Sequence, residues 1–208
     1  MTKSLLFLTF SPRSDSTSSA LARAFVDQWA AANPDAPVVE HDLGQTPIAG
    51  PDQPWIEANM TPKDQRSTAH HAALAASDKA IAELHAATHV VLATPMFNFS
   101  APWQLKGYID NLVRVNETFG FDPKTGPTPL LDPKKKMKVI WSSAFDYTAG
   151  TDMNALDQLT PYISTIFGFM GLRDISFVAS GNAWAPAEVA QQFRCKAQTE
   201  LGNAAAAW

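Results

Sequence analysis

Apolar residues in this chain fall into short, nearly continuous runs that alternate with striped, helix-like segments. The runs are Leu5–Phe10, His89–Thr94, Met137–Trp141 and Ile175–Ala179, with a weaker one from Pro37 to His41 around Val38 and Val39. Such runs suit strands buried on both faces. Leu21, Phe25 and Trp29 form the first stripe, which ends at Asn33-Pro34. Leu74, Ile81 and Leu84 mark a second helix, expected to open at Thr61-Pro62. Leu105, Ile109, Leu112 and Val113 step along a third after Pro102. A fourth is expected from about Asp152 to Phe169, with Gly168 and Gly171 at its end. Val189, Phe193, Ala197 and Leu201 mark the last. These steps of three and four residues are the period of a helix with one buried face. Asp42–Pro62 shows no period and carries Pro47, Pro51, Pro54 and Pro62, so it is expected to be a long loop. Phe119–Leu131 is expected to be an irregular hairpin.

Strand and helix thus alternate five times. That order predicts an α/β fold, an open parallel five-stranded sheet with helices on both faces. Right-handed crossovers favour the strand order 2-1-3-4-5 within one domain spanning residues 1–208. In such sheets ligands bind beyond the C-terminal strand ends, near the switch point between the first and third strands. The turns after Phe10, Thr94 and Trp141 are therefore the candidate site.

Composition narrows the chemistry. Sixteen basic against 20 acidic residues give a net charge of -4, which leaves no cationic excess for nucleic acid. A single cysteine, Cys195, excludes an internal disulfide framework and any multi-thiolate metal site. The run after Lys3 is too short for a signal peptide, and no stretch is long enough to span a membrane. A soluble cytoplasmic protein is expected. His70-His71, His85 and His89 lack metal-ligand spacing and read as solvated helix residues and a strand-edge residue. Lys134-Lys135-Lys136 reads as a solvated loop.

The first turn holds Ser11 and then Ser16-Thr17-Ser18 at a helix start. Free N–H groups and hydroxyls there suit a phosphate monoester; a plain serine N-cap is the competing reading. The second turn, Pro95-Met96-Phe97-Asn98-Phe99-Ser100, places two aromatics about an asparagine where a turn should be wet. A flat heteroaromatic ligand explains them better than a hydrophobic staple. The third turn, Ser142-Ser143-Ala144-Phe145-Asp146-Tyr147-Thr148-Ala149-Gly150, lies where it would complete a ring site, though its residues alone decide little. The chain has no G-x-G pair, P-loop, H-E-x-x-H or G-x-S-x-G. It also lacks the carboxylates that a phospho-acceptor receiver needs after the first strand.

These three turns carry a resemblance to a known family. With Gln104-Leu105-Lys106, Tyr108-Ile109-Asp110, Phe119, Leu130-Leu131 and Phe167–Leu172, the chain resembles the FMN-dependent NADH azoreductases. These are also called FMN-dependent NADH–quinone oxidoreductases and have a flavodoxin-like fold. The resemblance implies FMN as cofactor, NADH or NADPH as electron donor, and quinones or aromatic azo compounds as acceptors in a ping-pong cycle. It implies a homodimer with FMN at the interface. Phosphate ligands would be Ser11, Ser16, Thr17 and Ser18. Ring ligands would be Pro95, Met96, Phe97, Asn98 and Phe99, with Ser142, Ser143, Ala144 and Phe145. No catalytic side chain and no metal are implied, because the flavin carries the hydride chemistry. The family usually has Ser-Arg-Gly-Gly where this chain has Ser142-Ser143-Ala144-Phe145. Positive φ, open to glycine, is costly at Ala144 and Phe145, and a displaced backbone is expected there. The alternatives are an NAD(P)H-dependent flavin reductase, a flavodoxin-type electron carrier without dehydrogenase activity, and a flavodoxin-like protein with little FMN affinity.

Overall fold

The computed structural model describes residues 2–205 and 208. In chain order it contains β1 (Leu5–Thr9), α1 (Thr17–Ala32), β2 (Val38–Asp42), α2 (Gln53–Met60), α3 (Thr68–Ala86) and β3 (His89–Pro95). There follow α4 (Trp103–Leu112), β4 (Phe119–Asp122), β5 (Gly126–Pro129), β6 (Lys136–Ser142), α5 (Thr160–Met170), β7 (Asp174–Ser180) and α6 (Ala187–Ala205). Five strands form a parallel sheet in the order β2-β1-β3-β6-β7, and β4-β5 is a separate antiparallel hairpin. With the hairpin set aside, the sheet has the expected order, and the hairpin lies where it was expected.

Strand alternation divides the core. Leu5 and Phe7 of β1, Val91 and Ala93 of β3, and Ile140 of β6 pack beneath α1 and α6, against Phe25, Trp29 and Leu201. Leu6, Leu8, Val90, Leu92, Met137 and Val139 face α3, α4 and α5, against Leu84, Leu105, Ile109 and Phe167. Each central strand is apolar on both faces, which accounts for the nearly continuous runs.

Three boundaries differ from expectation. The segment Asp42–Pro62 contains α2, a two-turn helix. Asp52 Oδ1 accepts from the Trp55 amide at 2.9 Å and Pro54 occupies the first turn, where its missing N–H has no cost. Only Trp55 and Ala58 are buried in α2, too few to create a period. The second predicted helix starts at Thr68 rather than at Thr61. Ser67 accepts from the His70 amide while His70 Nδ1 faces the Ser67 amide, a reciprocal cap. The helix expected from Asp152 begins at Thr160, where the Asp157 carboxylate takes the Leu159 and Thr160 amides at 2.9 and 3.0 Å. It ends on Gly171, whose φ of 116° suits glycine, while Gly168 lies inside it.

One polar reading also changes. Lys135 is buried, not solvated: its Nζ donates to the His85 carbonyl at 2.7 Å and to that of Ala87, closing the C-terminal end of α3. Burial holds its ammonium below the usual lysine range. His89 is buried at the start of a central strand, with Trp29 at 5.5 Å and Trp208 at 4.9 Å between ring centroids. Among the described residues no group of acidic, His and Cys side chains could hold a metal, and no helix is long and apolar enough to cross a membrane.

Loss of solvent, reinforced by the charges of Lys3 and Lys136, pushes the His89 imidazole down to about 4. The unfolded chain therefore takes up this proton first as pH falls below 6.5. Stability is expected to drop between pH 6.5 and pH 4, with His89 responsible for about 2–3 kcal/mol of the loss. Urea unfolding of wild type and His89→Gln across that window checks it; parallel pH profiles would refute the assignment.

Candidate functional site

Parallel register brings the predicted turns to one edge. Thr9 pairs with Ala93, Pro95 with Ser142, and Ser142 with Ser180. The chain segments leaving β1, β3, β6 and β7 therefore emerge side by side.

After β1, Ser16 caps α1. Its Oγ accepts from the Ser19 amide at 3.3 Å, and the Ser16 carbonyl accepts from Ala20. Among the described residues, the Thr17 and Ser18 amides have no acceptor in the chain. A helix start with free amides carries positive potential. Ser16 and Thr17 line a groove of about 360 Å³ with Arg194 and Gln198 of α6. Ser18 is buried, its Oγ 3.2 Å from Ser16 Oγ, and it supports the cap instead of lining the groove. Ser11 opens onto an adjoining cavity of about 570 Å³ with Arg23, Glu40 and Asp42; Ser14 and Ser19 line both spaces. Gly44 is required here, because a Cβ on it would sit 2.0 Å from the Ser11 carbonyl oxygen. At the mouth, Arg13 donates to Asp15 at 2.7 Å, and its hydrogen bond and charge hold that carboxyl below the usual range.

After β3 the backbone makes a two-residue turn. Phe97 and Ser100 exchange two backbone hydrogen bonds of 3.0 Å, with Asn98 at φ 47° and Phe99 at φ 70°. Asparagine tolerates that region; phenylalanine there is strained. The Asn98 and Phe99 amides are left without an acceptor among the described residues. Phe99 is steadied by its carbonyl, which accepts from the Gln158 amide at 2.9 Å, and by the edge of Tyr147 at 6.0 Å.

After β6, Ser143 Oγ donates to the Phe145 carbonyl at 2.6 Å. Ala144 and Phe145 both keep negative φ. The expected conflict with positive φ does not arise, because the turn takes another path that its side chains allow. The Ala144 and Phe145 amides are also free of acceptors among the described residues. Met96, Phe97, Asn98 and Phe99 from one side, and Ser143, Ala144 and Phe145 from the other, line a cleft of about 360 Å³. Pro95 and Ser142 pair behind it as the last sheet residues, with the Ser142 carbonyl accepting from Met96 at 2.8 Å.

The fold and the sequence are shared with known proteins. A family model described as flavodoxin-like fold matches residues 3–201. An FMN-dependent NADH:quinone oxidoreductase of Trichormus variabilis is 35% identical over 205 residues, covering 98% of this chain and 99% of that protein. The chain belongs to the flavodoxin-like FMN-dependent NADH:quinone oxidoreductase family. A second member, from Acidobacterium capsulatum, is 40% identical over 177 residues, 85% of each chain. An azoreductase structure from Bacillus anthracis has a TM-score of 0.88, covering 99% of this chain and 100% of that one at 23% identity, a likeness of fold.

Two residues lining the cleft had no signal in the pattern of the sequence. Tyr147 stands within the third turn, whose residues by themselves decided little, and Trp184 lies after β7, in a segment outside the three turns. Trp184 reaches the cleft because its amide donates to the Ala144 carbonyl at 3.2 Å and Ala183 donates to Ser143. A tryptophan following the last strand of a parallel sheet was the available clue, since that strand ends at the same edge.

The strain at Phe99 gives a stability test. Phe99→Gly relieves about 1–2 kcal/mol of left-handed cost and forfeits an edge contact worth about 0.5–1.5 kcal/mol. Its unfolding free energy is expected within about 1 kcal/mol of wild type. A loss above 2 kcal/mol in urea would show that the turn is unstrained.

Proposed function

We propose that this chain is an FMN-dependent NAD(P)H oxidoreductase that reduces quinones and aromatic azo compounds, acting as a cytoplasmic homodimer of single-domain chains. The observation carrying this reading is the pairing of a hydroxyl-lined helix start with an apolar cleft rich in free amides, on one sheet edge. Ser16, Thr17 and the amides of Thr17 and Ser18 fit a phosphate, with Ser11 beside them and Ser18 behind. Met96, Phe97, Phe99, Ala144 and Phe145 fit the faces of a tricyclic ring. Asn98 and the free amides of Asn98, Phe99, Ala144 and Phe145 fit its carbonyl edge. Pro95, Ser142 and Ser143 hold the two turns in register.

When bound, FMN supplies two-electron transfer from the reduced nicotinamide to the acceptor in ping-pong order. The chain's work is to orient and to set potentials. The free amides of Asn98, Phe99, Ala144 and Phe145 would stabilise negative charge on the bound ring without reorganising, and the aromatic side chains of the cleft would shield it from water. The names of relatives support the reading: the curated ones are FMN-dependent NADH:quinone oxidoreductases, and one structural neighbour is an FMN-dependent NADH-azoreductase in complex with FMN.

Purified protein is expected to be yellow, absorbing near about 450 nm as flavins do, and to oxidise NADH steadily with a quinone. Bound flavin without NADH turnover would instead indicate an electron carrier. Ser16→Gly keeps helix capping to within a few tenths of a kcal/mol. Losing a charge-assisted hydrogen bond of about 1.5–3 kcal/mol should weaken FMN ten- to a hundredfold. Wild-type affinity in a fluorescence titration would remove Ser16 from the phosphate site.

The homodimer is supported by large apolar groups left in water: Trp103, Phe121, Leu130 and Val115 are all exposed, and aromatics are enriched in interfaces. Light scattering at micromolar concentration should return twice the chain mass; a monomer mass would end this part of the reading.

A further inference from the structure

We infer that the cleft selects uncharged planar acceptors, fused-ring quinones without anionic substituents, and that Trp184 is the residue setting this preference. The inference rests on the function proposed above and specifies its acceptor class.

The first ground is electrostatic. Among the described residues, no side chain lining the cleft is charged. The segments that leave β6 and β7 to build one wall, Ser142–Leu159 and Ser180–Ala187, contain Asp146, Asp152 and Asp157 and no lysine or arginine. Asp146 adjoins the lining and keeps its carboxylate fixed on the Thr148 amide at 3.0 Å and hydroxyl at 2.7 Å. A sulfonate or carboxylate carried into this cleft loses water and meets no cation, a cost that a neutral ring escapes.

The second ground is the shape of the wall. Phe99, Tyr147, Phe145 and Trp184 form a chain of edge-to-face contacts, with successive centroids at 6.0, 6.4 and 5.8 Å and interplanar angles of 76°, 78° and 70°. Trp184 ends this chain and is 79% exposed. It is not loose: its amide is tied to Ala144, and Ala185 donates to the Asn182 carbonyl at 3.0 Å. Asn182 takes φ 56°, and Gly181 lies so close that a Cβ would sit 3.0 Å from the Phe145 carbonyl oxygen. A large indole carried on a fixed backbone and left in water gains most when a flat ring covers it. In the reaction the quinone gains two electrons and two protons, one as the hydride that NAD(P)H gives up and one from solvent. The product is the neutral hydroquinone, and the nicotinamide leaves oxidised, so no charge need be held at the wall.

The test compares 1,2-naphthoquinone with its 4-sulfonate in wild type, Trp184→Phe and Trp184→Arg, each checked for FMN content and circular dichroism. Wild type should favour the neutral quinone in kcat/KM by tenfold or more. Trp184→Arg should move the ratio at least tenfold toward the sulfonate, and Trp184→Phe should leave it within about threefold; taking ratios between variants cancels the intrinsic reactivity of the two quinones. Independently of turnover, the neutral quinone should quench tryptophan fluorescence saturably in wild type, and most of that signal should vanish in Trp184→Phe. A ratio unmoved by Trp184→Arg, or quenching unchanged by Trp184→Phe (as when a second copy covers the indole), overturns the inference. Absent NADH turnover with Trp184-dependent, sulfonate-sensitive quenching intact would refute the proposed function and leave the neutral-ring site standing.

Discussion

In a parallel sheet joined by right-handed crossovers, every strand ends at the same edge, and each central strand is covered on both faces. Pro95, Ser142 and Ser180 are held level by the registers of β3, β6 and β7, and β1 ends two residues short of them, with Thr9 level with Ala93. The faces are closed by helices, so the row of strand ends is where backbone amides and side chains stay free to meet a ligand. The helix start after β1, the tight turn after β3 and the two loops that zip together after β6 and β7 all depend on this alignment. A slip in one strand's register would separate them.

Covering both faces also forces charged groups inward, where each needs partners. Arg114, following α4, has a fully buried side chain. It donates to Asn59 at 3.0 Å, Ser77 at 2.9 Å and Asp78 at 2.5 Å, and lies 5.8 Å from the centroid of the Trp55 ring. One guanidinium thus ties α2 to α3 and α4, spreading its charge over a planar donor set that a lysine lacks. Lys138 solves the same problem on the opposite face, donating to Ser176 at 2.9 Å and lying 5.6 Å from the rings of Phe25 and Trp208. The α2 segment, which has little apolar surface of its own, is held by this polar network and by the small cluster of Trp55, Ala58 and Leu74.

The edge where the clefts lie is built on different terms from the core. Phe99 sits in a conformation that a glycine would occupy at lower cost, and Trp184 is left in water although the core has no shortage of aromatic partners. Local costs of this kind cluster where a surface is shaped for something other than folding. The third turn reaches the same end differently: Ala144 and Phe145 avoid the left-handed region, and Ser143 ties the loop internally instead. Its path frees two amides and swings Phe145 between Tyr147 and Trp184.

What the sequence determined by itself was the layered sheet, its strand order and the first two turns. Runs such as His89–Thr94 and stripes such as Leu21-Phe25-Trp29 are direct consequences of two-sided burial and of the helical period. Serines at a helix start and aromatics around Asn98 mark candidate turns directly in the sequence. Elements held by something other than apolar burial were not legible. The helix α2 rests on an Asp52 cap and on Arg114 more than fifty residues away, and a solvated-looking lysine run hid Lys135 beneath the end of α3. Only the tertiary structure could decide that Ser11 and Ser16 open onto adjoining spaces, that Ser18 supports instead of contacting, and that Trp184 joins the cleft. Those facts depend on hydrogen bonds between segments distant in the chain, such as Trp184 to Ala144, and pairings of that kind leave no period or motif along the sequence.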